Sequence, residues 1–528
     1  MRQMLITLFL FLCLVSISFS APTRGVSEGF EPSLTPRVGA AVPTPAGDKA
    51  KTKLILDLWD SAYLQNGKAG YVHTITEEYQ ENGETLLRTT VELRLTVKRN
   101  NDVIELNMDT GTMENLQGKV TGVFMKQFLG KNKTLELKGS VIVGKLRAVI
   151  DGTKSLDPEP WDPSVVGLFR QQTMLKEKNV KPGDEFKFLS YEASINSVVP
   201  MSGQVKEYED VELFGGQYKK RLLRVELRPG KINKVQLPTL TMWVGDNRMV
   251  QRSQVEVPGL GPLTLYRSSK AVATAPGPLN SLTDIGLSQL VPLKMPIKNP
   301  DSTTAAVYKI TVRGDNDPSS TFSSDARQGI KNVKGNTFEL HVRAAGKQVE
   351  EKKPGVEFAQ SSYFINCDDA VVRKHAQSAV GNEKDAWKKA LLIEKWVHEH
   401  MKPTNDEALA TADHVARTLQ GDCTEFAMLA AAMCRAEGMP SRTAVGLVYA
   451  DIKDRPGFAF HMWTEVFVDN RWVPIDATLG LGKVAATHLK IADQSWHEAR
   501  NMIPLFPVMR VVGRVSIDVV SVENSAKP

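Results

Sequence analysis

Leu93, Leu95 and Val97 alternate with Arg94, Thr96 and Lys98, and Leu223, Val225 and Leu227 alternate with Arg224 and Glu226. A period of two is that of a strand with one dry face and one wet face, so residues 52–270 are predicted to form an antiparallel, all-β region. Trp243-Val244-Gly245-Asp246-Asn247 supplies a hairpin-like turn inside it. Residues 271–301 carry Pro276, Pro278, Pro292, Pro296 and Pro300 and read as a linker, followed by a small β segment over 302–355 with strands at 306–312 and 338–342. Beyond 356 the pattern becomes mixed. An amphipathic helix is predicted from about Asn382, with Trp387 and Trp396 on its core side. An alanine-rich apolar run at 426–436 ends at Gly438 with Pro440 just beyond. Strands are predicted at 442–449, 459–468 and 471–477, and a last one at 508–522 to close the sheet. The expected architecture is multidomain, with the α+β domain at 356–525.

The N-terminus follows neither period. Arg2 precedes an apolar run from Met4 to Val15, and Ser18-Phe19-Ser20 places small residues where a signal peptidase reads them. Residues 1–20 are therefore expected to be a signal peptide, and the Pro-, Gly-, Thr- and Ala-rich residues 21–51 a flexible linker. The product is expected to be secreted or periplasmic. Its formal charge of +6 falls to +5 without Arg2, too small an excess over so long a chain to call for nucleic acid. No later stretch has the roughly 20 apolar residues of a spanning helix. Of the four cysteines, Cys13 lies in the leader, and the three left fit one thiol kept free for chemistry. No metal-ligand spacing and no phosphate-binding glycine motif occurs, so no cofactor is called for.

That free thiol is best placed at Cys423. Asp422 is a good N-cap, Glu425 stands three residues on in capping-box position, and Cys423 falls at the first helical residue, where free N–H groups and the helix dipole favour a thiolate and could hold an oxyanion. His461 lies 38 residues after Cys423, and Asp476 another 15 on. If Asp469-Asn470 is a two-residue hairpin turn, Val468 lies opposite Arg471 and Trp463 opposite Asp476, which makes His461 and Asp476 diagonal neighbours on one face. A loop one residue longer would separate them. Cys434, on the same helix about 16 Å further along, is too far to bridge to Cys423 and is expected in the core, single or paired with Cys367. His398, His400 and His414 have no ligand-like pattern and are expected at the surface.

Four motifs together resemble the transglutaminase-like cysteine enzymes of the papain-like superfamily: Gly421-Asp422-Cys423-Thr424-Glu425-Phe426-Ala427, Gly438-Met439-Pro440-Ser441-Arg442, His461-Met462-Trp463-Thr464-Glu465-Val466 and Trp472-Val473-Pro474-Ile475-Asp476-Ala477-Thr478. The resemblance covers about residues 360–500. It implies an acyl-transfer site in which Cys423 attacks, His461 is base then acid, and Asp476 orients His461. The expected function is action on peptide or glutamine-type amide carbonyls of a protein or peptide substrate through a Cys thioester, with hydrolysis slightly preferred over cross-linking to an amine. The alternative of another class is a binding or scaffold protein that uses the β-rich region and keeps the C-terminal domain for packing.

Overall fold

The computed structural model describes residues 52–99, 102–128, 134–152, 154–156, 158–214, 216–232, 235–282, 290–344, 350–404, 410–452, 454–497, 499 and 503–525. The expected signal peptide 1–20 and linker 21–51 lie outside the described residues. The alternating stretches are strands with the expected faces: Leu93, Leu95 and Val97 are buried while Arg94, Thr96 and Lys98 are half-buried. They belong to one fifteen-stranded, antiparallel sheet. One arm is a meander from Lys53–Leu64 to Lys145–Ile150, and the other runs from Glu185–Glu192 to Gly261–Ser268, which pairs back onto Lys53–Leu64. Tight turns set the register. Between Gly67–Glu81 and Glu84–Arg99, Asn82 and Gly83 both take positive φ, the conformation a two-residue hairpin needs.

The helix Leu168–Glu177 packs against the meander, and the sheet caps its start: Leu168 N donates to Thr112 Oγ1 at 2.9 Å and Phe169 N donates to Glu114 Oε1 at 2.8 Å. Just before it, Val166 bridges to Lys119 on one arm and Val165 to Leu189 on the other, which draws the two arms together.

The α+β part follows. Its sheet has the order Val291–Pro292, Pro456–Val468, Ser441–Asp451, His488–Gln494, with Arg471–Ile475 also on Pro456–Val468. The helices Ala370–Val380, Ala386–His400, Ala412–Thr418 and Cys423–Ala436 pack together, and the last lies on the sheet. Every residue from Cys423 to Arg435 is buried, which is why that segment is apolar nearly all round. Side chains pin it: Thr464 Oγ1 donates to Ala427 O at 2.9 Å and Ser441 Oγ to Ala431 O at 2.7 Å.

Two expectations are corrected. Within the proline-rich 271–301, read as a linker, the described residues 290–301 are instead packed: Val291, Leu293 and Ile297 are buried and Val291 pairs with Phe458 at the edge of the α+β sheet. The last strand is shorter and lies elsewhere: Ile503–Arg510 is a 3-10 helix interrupted by Pro507, and Val515–Asn524 pairs with Thr303–Val312 in the separate four-stranded sheet. Among the described residues, no helix is long and apolar enough to cross a membrane.

Candidate active site

Cys423 opens the helix Cys423–Ala436. The Asp422 carboxylate accepts from Thr424 N at 2.9 Å, and Glu425 Oε2 accepts from Asp422 N at 2.9 Å, which closes the capping box. Glu425 Oε1 takes Ala410 N at 3.0 Å and ties in the preceding chain. Gly421 has φ +151°, and a Cβ there would fall 2.3 Å from Glu425 Cβ, so the capped entry requires glycine.

The hairpin delivers the other two residues. Asp469 and Asn470 both have positive φ, and the pairs run Val468 to Arg471, Val466 to Val473 and Thr464 to Ile475, the register that a two-residue turn imposes. His461 and Asp476 therefore meet on one face, with His461 Nε2 2.7 Å from Asp476 Oδ2. The thiol of Cys423 hydrogen-bonds to His461. With Nε2 committed to Asp476, Nδ1 is the ring atom left for the thiol. The structure thus brings Cys423, His461 and Asp476 into one buried line.

Burial and charge oppose each other along this line. Burial alone would push His461 down, but the Asp476 carboxylate and the Cys423 sulfur raise it to about 10. Burial would push Asp476 up, yet His461 and His488 hold it well below the usual carboxylate range. Burial also disfavours a Cys423 thiolate, and His461 beside it works the other way. The arrangement is that of a thiolate–imidazolium pair braced by a carboxylate.

Two further residues complete the site, and the linear sequence gave no sign of either. His488, on the strand His488–Gln494, directs Nε2 to the same Asp476 Oδ2 at 3.1 Å. Glu394, on the helix Ala386–His400, accepts from Asp476 N and Gly482 N, each at 3.2 Å, and burial raises it to about 7. Asp476 Oδ1 is filled by Thr478 N at 3.0 Å and Leu479 N at 3.4 Å. Below the site, Glu465 joins the Arg442 and Lys490 cations; burial works against its charge, but the two cations hold it down to about 2.

Among the described residues, the set with donor atoms close enough for a metal is His461, Asp476 and His488, all within 4.8 Å of one another. In this structure both histidines hydrogen-bond to the one oxygen, Asp476 Oδ2. Cys367 and Cys434 are free, buried thiols, and burial pushes both up. Trp396 packs against the edge of the core and is half-buried, with its ring 4.2 Å from His400 and 4.6 Å from His375. Trp387 is also half-buried. His398 and His400 are exposed, whereas His414 is half-buried.

The sequence comparisons fall on this region. Residues 373–477 match the profile of the transglutaminase-like superfamily, a span that includes Cys423, His461 and Asp476. This stretch is similar to a transglutaminase-like core. His488 lies beyond the matched transglutaminase-like residues. Among solved structures, the chain is similar to a provisionally assigned cysteine protease from Cytophaga hutchinsonii, at 16% identity and TM-score 0.27, over 43% of this chain and 89% of that one. It is similar also to a provisionally assigned protease from Parabacteroides distasonis, at 12% identity and TM-score 0.18, over 69% and 68% of the two chains. A β-barrel-like protein of a domain of unknown function, from Brucella abortus, matches at 12% identity and TM-score 0.29, over 40% of this chain and 95% of that one. No curated protein matches the chain.

Proposed function

We propose that this chain is an exported cysteine enzyme that cleaves peptide or glutamine-type amide bonds through a Cys423 thioester. The observation that carries the reading is the buried Cys423–His461–Asp476 line at the start of a capped helix. In the proposed cycle the Cys423 thiolate attacks the amide carbonyl, and backbone N–H at the helix start holds the oxyanion. The His461 imidazolium then protonates the leaving amine, Asp476 keeps its Nε2–H oriented, and water returns the enzyme. Export is proposed from the leader-like residues 1–20.

The packing of Trp463 favours water over an amine as the acceptor. This residue would line a channel for the alkyl stem of a lysine, but it is 1% exposed and its ring lies 6.4 Å from His461 and 5.4 Å from His488. It is spent on supporting the imidazoles. The test supplies a glutamine-containing protein and a labelled primary amine to the mature enzyme, with Cys423→Ala as control. Fragments or ammonia released without label uptake support hydrolysis; stable, Cys423-dependent incorporation of the amine would establish transamidation instead.

A further inference from the structure

His488 stands where no catalytic step has been assigned, yet its surroundings are unusual for a structural histidine. It is 3% exposed, and its Nε2 lies 3.1 Å from Asp476 Oδ2, the same oxygen that faces His461. An ionised carboxylate only accepts, so Nε2 of His488 carries a proton and donates it. The other nitrogen, Nδ1, is buried without a partner. A ring whose second nitrogen is buried without an acceptor is a neutral one, because a proton on Nδ1 would be a buried donor with nothing to receive it.

The fold goes to some length to bring the two histidines to one oxygen. His461 and His488 lie on strands separated by Ser441–Asp451, with Gly446 opposite His461 and Val448 opposite His488. Gly446 keeps the middle strand clear: a Cβ there would stand 2.0 Å from Leu489 O and 2.9 Å from Trp463 Cη2. The imidazoles therefore lean over it to centroids 6.1 Å apart at 71°, and Trp463 meets His488 edge-on at 5.4 Å.

Resting on the proposed function, we infer that His488 is a positioning residue: its neutral Nε2–H holds Asp476 Oδ2 in line with His461 and takes up part of the carboxylate's charge. A donor to the ionised form lowers the proton affinity of the carboxylate–imidazole pair. His461 is thereby kept acidic enough to release its proton to the leaving amine rather than hold it against Asp476. Three charged groups face His488: Asp476, the imidazolium of His461 and the buried guanidinium of Arg327. Burial lowers His488, Asp476 opposes that, and the two cations add to it, so the ring stays neutral at working pH.

The experiment uses the mature chain; its main readout, alkylation of Cys423, needs no substrate, and turnover is followed beside it on the glutamine-containing protein. The rate of Cys423 alkylation by iodoacetamide is followed from pH 5 to 11 in wild type, His488→Leu and His488→Gln, with folding checked by circular dichroism. The apolar His488→Leu side chain cannot donate, whereas His488→Gln presents an amide N–H near the same point. The expected result is an upper transition, that of His461, moved up by about half a unit or more in His488→Leu and restored in His488→Gln. Turnover should fall about tenfold in the first and recover to within about threefold in the second. Equal shifts in both variants would mean that the ring only fills space, and no shift in either would mean that it does nothing to Asp476; both overturn the inference. Should His488→Leu fail to fold, ¹⁵N NMR of the wild-type imidazole decides: an Nε2–H ring with bare Nδ1 from pH 5 to 8 supports it, and a proton on Nδ1 overturns it. Wild-type Cys423 that alkylates no faster than an ordinary buried thiol would instead defeat the proposed function, with the NMR result still deciding the role of His488.

Discussion

Replacing Asp476 by Asn exchanges one oxygen for an NH2 group with almost no change of shape, and the structure determines which one. Asp476 Oδ1 receives Thr478 N at 3.0 Å and Leu479 N at 3.4 Å, so the amide oxygen of the variant must stay there. The NH2 group then takes the place of Oδ2 and faces Nε2 of His461 and of His488, at 2.7 and 3.1 Å. Two donors cannot face each other. His461 must turn Nε2 into an acceptor and carry its proton on Nδ1, against Cys423, where a base is needed. Burial already pushes His461 down, and without the Asp476 charge the main support for its rise to about 10 is gone. A buried thiol left without an imidazolium titrates no lower than its ordinary value of about 8.5, so at pH 7 at most about 3% is thiolate and alkylation of Cys423 should slow at least about 30-fold. Turnover should drop further, by about 10⁴, the cost of a wrong tautomer in a Ser–His–Asp triad. The assay is the second-order rate of Cys423 with iodoacetamide as a function of pH, beside turnover of the amide substrate. A variant profile that keeps the wild-type plateau through neutral pH would refute the reasoning.

Three further outcomes follow from the same geometry. Cys423→Ala should abolish turnover and leave the melting temperature nearly unchanged, since alanine suits the first helical position; activity within tenfold of wild type would remove Cys423 from the reaction. Gly446→Ala should destabilise the chain by about 1–3 kcal/mol by forcing Trp463 or the neighbouring strand to move, measured by denaturant unfolding with the wild-type m-value as control. Glu394 has its folded pKa raised by burial from its ordinary value to about 7, so the stability it contributes is full below its unfolded pKa and is lost as pH rises through 7. Glu394→Gln keeps an acceptor for Asp476 N and Gly482 N but removes that titration, and the fall in melting temperature between pH 5 and 8 should become shallower; an unchanged slope would show that Glu394 does not titrate there.

Much of the site was legible because its parts are local. The capping box spans four residues, and Asp469-Asn470 sets the hairpin register, so the meeting of His461 with Asp476 follows from counting along one turn. The period of two in residues 52–270 likewise announced strands, because the pleat repeats every second residue whatever the sheet's final shape.

What the chain alone could not disclose depends on contacts between distant segments. His488 reaches Asp476 only because the strand order puts Ser441–Asp451 between Pro456–Val468 and His488–Gln494, with glycine at the crossing point. Glu394 reaches the same residue from a helix 82 positions earlier. Val515–Asn524 reads as a strand, but its choice of Thr303–Val312 over the α+β sheet is a pairing between segments far apart in the sequence, which no local pattern encodes. The capped helix start at Cys423, the turn that aligns His461 with Asp476 and the strand periods could all be read along the chain; which remote groups close around Asp476 was settled only by the packing. The reason is physical: caps, turns and pleats are settled within a few residues, whereas the surroundings of a buried carboxylate are set by whichever strands and helices pack against it.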